Sequence, residues 1–369
     1  MKKHNEESIF SPTFGYKPQY IVGRDEEISV SVEGLASAPG HRNRAVFLTG
    51  QRGMGKTVLL LELAERAKKM DFIPIRVTAG EKMLDEIIEV IQISGERYIK
   101  ERKIPIKTIT AGVFGFSIGF TFTEEIQKNY GFRTKLTLLC EVLTKHNKGV
   151  LFLIDEIRAS SEEMREFATT YQHLVGDGMN IAVVMAGLPN AVSSVLNDDI
   201  LTFLNRATKV KLNLLRISDV AACYYQALRD LNIKFTAEML DAAARSTRGY
   251  PYLLQLIGYS ILRLLKGENE LTQTLVDIAV DNSIRILKED VFLPCLNPLS
   301  AGDKSFLNAM SIDNNESLVS EIRNRLNVDK SHVQTYRRRL IESGVIHSPS
   351  RGRVAFSIPY LGQYLRSEL

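Results

Sequence analysis

Gly50, Gly55, Lys56 and Thr57 stand in the stretch FLTGQRGMGKTVLLLELAERA, Phe47–Ala67, with four residues separating the first two glycines of the set. A glycine, four residues of any type and then Gly-Lys-Thr is the spacing of a phosphate-binding loop. Its glycines let the backbone fold back, so that N–H groups and the positive end of the following helix converge on phosphate oxygens. On that chemistry Gly50, Gln51, Arg52, Gly53, Met54 and Gly55 would wrap the phosphates of ATP. Lys56 would neutralise the β- and γ-phosphates, and the Thr57 hydroxyl would sit on Mg²⁺. Both flanks agree: RAVFLTG runs into the loop as a buried strand, and KTVLLLELAERAKKM leaves it as a helix, with Val58, Leu61, Leu63 and Ala64 expected toward the core.

Hydrolysis needs a second, acidic element. GVLFLIDEI, Gly149–Ile157, is a continuous apolar run ending in two carboxylates, as a central parallel strand would be. Such a strand is expected beside the first, with Asp155 holding Mg²⁺ through water and Glu156 polarising the attacking water. Past the next apolar run, NIAVVMAG, comes LPNAV, where Asn190 is a candidate to reach the γ-phosphate or the lytic water; an ordinary helix cap or turn former is the alternative. Arg206, in TFLNRATKVKLNLL, falls shortly before a last strand and on the surface. There it could serve a neighbouring subunit's phosphate or have no such task.

The elements that must position these groups alternate. FIPIRV and TKVKLNLL read as further strands and EKMLDEIIEVIQISGERYIKERK as an amphipathic helix, so the fold class is α/β, a doubly wound parallel sheet with nucleotide at the C-terminal strand ends. The segment at 106–123 reads as an inserted hairpin, with Phe114, Phe116, Phe120 and Phe122 on one face. That face either packs on the chain's own surface or forms a contact for DNA or another subunit. From 217 the chain turns helical, with Ser218 or Asp219 as cap, and Gly249 and Pro251 at a sharp turn; this is a helical lid over 217–297.

The chain of 369 residues is large enough for such a division, and its 24% charged and 44% apolar residues are those of an ordinary globular protein. No apolar segment approaches the roughly 18 to 20 residues needed to cross a bilayer, and MKKHNEESIF lacks a signal's apolar stretch, so a cytoplasmic protein without a membrane is expected. Cys140, Cys223 and Cys295 are far apart and without ligand spacing, hence reduced and structural. The net charge of +4 is modest, but residues 298–369 hold ten Lys/Arg against seven Asp/Glu, three of the four net charges. DKSFLNAMSI, SLVSEIRNRLN and KSHVQTYRRRLIESG read as helices and VIHS and RVAFSI as strands, a winged helix. Val333, Tyr336, Leu340 and Ile341 form its third helix's apolar stripe. Ser331, His332, Gln334, Thr335 and Arg338 then face solvent, and Arg351 and Arg353 flank the wing turn, a set suited to double-stranded DNA; a protein dock is the alternative.

Taken in order, GQRGMGKT, LFLIDE, GLPN, Arg206, the helical lid and the terminal winged helix resemble the AAA+ P-loop ATPases. PQYIVGRDEEI is similar to the GR-D/E-x-E box of their origin-recognition initiator clade and related bacterial and archaeal ATPases. The resemblance covers nearly the whole chain. It implies that Ile21, Val22, Gly23 and Arg24 lie near the adenine, that Asn190 is the sensor-1 residue, and that Arg206 is an arginine finger acting in trans in a homo-oligomer. The clade's lid arginine falls at Tyr252 here, so the sensor-2 contact is in doubt and Arg248 is its substitute. The expected parts are 1–216 for the nucleotide domain, 217–297 for the lid and 298–369 for the winged helix, in an ATP-dependent switch that binds DNA. A signal-transducing ATPase whose winged helix docks a protein, and a nucleotide-binding scaffold without useful turnover, are the alternatives.

Overall fold

The structure is a computed structural model that describes residues 9–13, 15–102, 116–158 and 161–368. It divides into two units. One comprises Asp25–Gly50 and Lys56–Leu212; the other comprises Met1–Arg24, Gln51–Gly55 and Asn213–Leu369.

In the α/β unit, five strands form one sheet: β1 (Ala45–Thr49), β2 (Phe72–Thr78), β5 (Gly149–Ile157), β6 (Ile181–Gly187) and β7 (Thr208–Lys211). Their order is β2-β5-β6-β1-β7, parallel throughout. The acidic strand β5 is therefore not beside β1, as the sequence led us to expect; β6 lies between them. All seven β6 residues are buried, as a strand covered on both faces requires. Helices α1 (Asp25–Ala36), α2 (Lys56–Lys69), α3 (Met83–Arg102), α4 (Glu124–Asn129), α5 (Phe132–Lys145), α6 (Glu162–Gly176) and α7 (Pro189–Leu196) complete this unit. On α2 the buried set is Leu59, Leu60, Leu63, Ala64 and Ala67: Leu63 and Ala64 face the core as expected, while Val58 and Leu61 are only half-buried and Leu59 and Leu60 take the core positions of the first turns.

Of the inserted hairpin, Phe114 lies outside the described residues, while β3 (Phe116–Ile118) and β4 (Thr121–Phe122) pair antiparallel around Gly119, whose φ is +58°. Phe116 stacks on Phe122 with centroids 5.2 Å apart, and Phe120 and Phe122 are buried in the α/β core. Gly95 on α3 makes room: a Cβ there would lie 2.9 Å from the Phe120 ring. Burying one such ring contributes about 1.5–3 kcal/mol.

In the second unit, α8 (Ile217–Asp230), α9 (Ala237–Ser246), α10 (Pro251–Leu265) and α11 (Gln273–Leu287) pack together, and Ile9 and Phe10 join their core, Phe10 against Gly258. Arg216, rather than Ser218 or Asp219, is the N-cap of α8. Asp219 sits at the third helical position, where it accepts from Arg216 Nε at 2.9 Å. A π turn, Lys288–Phe292, and a short α12 (Leu293–Leu296) follow.

The C-terminal elements are α13 (Ala301–Ser311), β8 (Glu316–Leu318), α14 (Val319–Leu326), α15 (Lys330–Glu342), β9 (Ile346–His347), β10 (Arg353–Phe356) and α16 (Leu361–Ser367). The sheet order is β8-β10-β9, antiparallel. The start of SLVSEIRNRLN, expected to be helical, is thus the edge strand of this sheet, since it pairs with β10. Ser300 and Asp303 form a capping box on α13, and Arg339 of α15 grips the buried Asp303 through Nε and Nη2 at 3.1 and 2.8 Å. Val333 and Leu340 are buried, while Tyr336 and Ile341 are half-buried. The Tyr336 ring fills the space over Gly302, where a Cβ would be 2.6 Å away.

No described helix is long and apolar enough to cross a membrane. All three cysteines are free and buried, and burial pushes the Cys140 and Cys223 thiols up to about 12, which favours the protonated thiol.

Candidate active site

The buried strand β1 ends at Thr49, where Gly50 N–H donates to Gly187 O of β6 at 3.3 Å, and α2 begins at Lys56. Gly53 and Gly55 have φ of +72° and +84°, the left-handed backbone that glycine adopts without strain. A Cβ on Gly55 would meet nothing within 4 Å, so the loop's inner surface is open there. Lys56 Nζ donates to Gly50 O at 2.8 Å, which folds the ammonium back across its own loop. Thr57 Oγ1 donates to Asp155 Oδ2 at 2.6 Å. Asp155 Oδ1 in turn accepts the Glu156 N–H at 2.8 Å, and Glu156 stands exposed with φ of +52° where the β5–β6 register shifts. An acidic residue held in the left-handed region is uncommon, and such strain gathers at functional sites.

This set fits a nucleoside triphosphate with its divalent cation. A hydroxyl and a carboxylate sit within hydrogen-bond distance as hard oxygen ligands, the preceding residue supplies a lysine ammonium bonded to Gly50 O, and the loop's Gly55 opens onto empty space. No cluster of three or more His, Cys, Asp or Glu that could hold a metal by itself occurs among the described residues. A magnesium ion sharing its ligands with phosphates needs none.

The loop residues Gln51–Gly55 are held from the second unit, to which they belong. Met54 is buried, and its carbonyl accepts from Arg24 Nη2 at 3.4 Å; the same nitrogen donates to Asn213 O at 2.8 Å. Tyr250, fully buried, donates its hydroxyl to Arg52 O at 3.0 Å. Burial pushes that phenol far above its ordinary pKa, so it remains a donor at any physiological pH. Sequence reasoning missed Tyr250. The only signal was an aromatic residue directly after the turn glycine of RGYP.

Of the expected adenine contacts, Ile21 and Val22 are half-buried, with Val22 against the α8–α11 core, and Gly23, with φ of +59°, lies so close to Asp219 that a Cβ would be 2.8 Å from its Oδ2. Arg24 is buried and binds backbone carbonyls. Asn190 is half-buried in the first turn of α7, two residues past the actual N-cap, Leu188. Arg206 ends the 3-10 helix Thr202–Arg206 and is exposed. Arg248 lies over the Tyr360 ring with its Cζ 3.9 Å from the centroid, and Tyr252 donates its hydroxyl to Asp290 at 2.7 Å.

On α15, Ser331, His332, Gln334 and Arg338 are exposed and Thr335 is half-buried, its hydroxyl donating to Ser331 O at 3.0 Å. Gln334, Thr335, Arg337 and Arg338 line one cavity. Arg337 was not anticipated; its Nη2 donates to Ser348 Oγ at 2.9 Å, tying the helix to the turn between β9 and β10. Arg351 and Arg353 are exposed at the turn, with Arg353 3.7 Å from Glu316.

Residues 40–195 match the AAA domain family, and residues 289–365 match a domain of unknown function, DUF8462. No curated protein sequence matches the chain. Among solved structures, the Walker-type ATPase PABY2304 of Pyrococcus abyssi superposes with a TM-score of 0.65 at 16% identity, covering 95% of this chain and 97% of that one. The ADP form of the ORC2 protein of Aeropyrum pernix gives 0.55 at 16% identity, covering 97% of each chain, and Cdc6p of Pyrobaculum aerophilum gives 0.53 at 16%, covering 98% of each. The five-strand parallel sheet, the phosphate loop between β1 and α2 and the acidic tip of β5 agree with these likenesses: the chain has the fold of the AAA+ P-loop ATPases, and its residues 40–195 are similar to the AAA domain family.

Proposed function

We propose that the protein is an ATP-hydrolysing switch that binds double-stranded DNA through its C-terminal elements, read as a winged helix. The parts are those expected from the sequence: a nucleotide domain over 1–216, a lid over 217–297 and the winged helix over 298–369. The observation that carries the nucleotide half is the 2.6 Å bond from Thr57 Oγ1 to Asp155 Oδ2, beside an ammonium that today rests on Gly50 O.

In this reading the loop amides and Lys56 bind and orient the phosphates, and Thr57 and Asp155 hold the cation. Bound Mg²⁺ supplies charge neutralisation to the phosphates being separated. Glu156, exposed at the end of β5, accepts the proton of the attacking water, and Asn190 orients that water. Arg206 acts on the site of a second copy, for which its exposure is the supporting observation. Arg24 acts through the loop backbone it binds. Arg248, engaged with Tyr360, is less suited to a phosphate contact than the sequence suggested, and a slow or partner-stimulated turnover follows from the missing lid arginine.

The DNA half is supported by the exposed Ser331, His332, Gln334 and Arg338 on one helix, the cavity shared by Gln334, Thr335, Arg337 and Arg338, and the exposed Arg351 and Arg353. Its test is fluorescence anisotropy of the full chain on duplex DNA across a salt series, with and without ATP. Arg351→Ala and Arg353→Ala are each expected to lower the salt slope by about one unit for all sequences, because each phosphate contact releases counterions. Gln334→Ala and Arg338→Ala are expected to cost about 1–3 kcal/mol on the preferred site alone. No binding at low salt would reassign these elements to protein contacts.

A further inference from the structure

The turn Ser246–Pro251 is held at both ends by tyrosine hydroxyls. At one end Tyr250, fully buried, donates to Arg52 O at 3.0 Å, and its ring presses on Gly53, where a Cβ would lie 2.0 Å from the phenol oxygen. At the other end Tyr360, between β10 and α16, donates to Ser246 O at 2.7 Å and carries the Arg248 guanidinium on its ring. The turn between these anchors is tightly determined. Arg248 and Gly249 have φ of +50° and +71°, Gly249 O accepts Leu215 N–H at 2.8 Å, and Thr247 Oγ1 accepts Gly249 N–H at 3.1 Å. A Cβ on Gly249 would be 2.4 Å from Leu215 O, so only glycine permits this approach. Tyr360 itself has φ of +66°. Two non-glycine residues in the left-handed region, in direct contact with one another, persist only where their surroundings fix them.

We propose that Tyr250 is a positioning residue for the phosphate loop, and that Tyr360 fixes the turn carrying it, so that the C-terminal elements are physically linked to the loop. The nucleotide role of the link rests on the function proposed above. Tyr250 touches loop backbone, so its effect is on the loop's shape and mobility. A neutral hydrogen bond of this kind changes an opening equilibrium by roughly three- to tenfold.

The test is hydrogen–deuterium exchange of the full chain without nucleotide, followed by ADP titration calorimetry, on the wild type, Tyr250→Phe, Tyr252→Phe and Tyr360→Ala. Tyr252→Phe is the control, because it loses a hydroxyl bond from the same helix start, to Asp290, without touching the loop. Tyr250→Phe is expected to raise exchange at residues 51–55 roughly three- to tenfold and to weaken ADP binding by a similar factor, with Tyr252→Phe like the wild type. Tyr360→Ala is expected to raise exchange at 246–250 and at 51–55 together. Wild-type exchange at 51–55 in Tyr250→Phe, or an equal rise in Tyr252→Phe, would overturn the positioning role. A rise confined to 246–250 in Tyr360→Ala would overturn the link. Exchange is read without nucleotide, so failure of the wild type to bind ADP would instead count against the function itself.

Discussion

Thr57, at the start of α2, and Asp155, near the end of β5, meet at 2.6 Å although β1, which leads into α2, is not a neighbour of β5: the whole of β6 lies between β1 and β5. The loop after β1 and the length of β5 together close that gap. β5 runs to Ile157, its register on β6 shifts after Ile154, and Asp155 within that stretch bonds the start of α2. If that pair holds the cation, Asp155→Asn removes a charge from the metal and leaves the loop amides in place. Binding of ATP in the presence of Mg²⁺ is expected to weaken by about tenfold or more, while binding without Mg²⁺ changes little. Calorimetry in both conditions checks this; an equal loss in both would mean that Asp155 acts on the fold of the loop instead.

Glu156 is exposed, and its N–H donates to Asp155 Oδ1 at 2.8 Å. Glu156→Gln keeps the shape and removes the base. Phosphate release is therefore expected to fall by about 10²- to 10⁴-fold with ATP affinity unchanged. A turnover equal to the wild type would take the base role away from this residue.

Arg206, if it serves a second copy, is separable from the site it completes. Mixing Arg206→Ala with Lys56→Ala is expected to restore part of the activity that each lacks alone, since one intact interface can form. An arginine finger is worth about 10³ to 10⁵ in rate, so the recovery stands clear of background. Phosphate release per subunit that stays constant on dilution of the wild type would point to a self-sufficient monomer.

The C-terminal elements carry a pH-sensitive pair. Arg325 clasps Asp313 with two bonds of 2.7 Å, and the guanidinium's hydrogen bonds hold this carboxyl below the usual carboxylate range. A carboxyl whose folded value is depressed adds stability above its ordinary pKa of about 4, and that stability is lost as pH falls through the depressed value. Arg325→Met is expected to lower thermal stability at neutral pH, on the order of 1 kcal/mol for a partly exposed pair, and to flatten the acid limb of the melting profile. An unchanged acid limb would show that the pair does not report on folding.

How far the molecule can be read from its sequence follows from which features are local. The phosphate loop and the acidic strand end were legible because each is a contiguous string whose chemistry depends on spacing. The order of the strands was not, since β5 and β1 are separated by an insertion that only long-range pairing decides. Ser317 and Leu318 were read as the start of a helix because so short a stretch shows no period of its own, and with Glu316 they form a strand that pairs with β10. On α2, Leu63 and Ala64 are buried as expected but Val58 and Leu61 are not, because three consecutive leucines, Leu59–Leu61, leave the buried face of the first turns undefined until the sheet is placed. The helix α11 was not singled out although Val276, Ala279 and Leu287 recur on its buried face, and the last helix, α16, is only seven residues long. Arg248 appeared available for a phosphate until Tyr360, more than a hundred residues on, was seen beneath it.

The central claim is that Gly50–Thr57 binds ATP with Mg²⁺, and titration calorimetry of ATP into the full chain and its Lys56→Ala variant tests it most directly. The wild type is predicted to bind, and the variant, folded by circular dichroism, to bind about 10- to 100-fold more weakly, the worth of a charge-assisted contact to phosphate. Equal affinity in a folded Lys56→Ala protein, or no binding by the wild type, would contradict it.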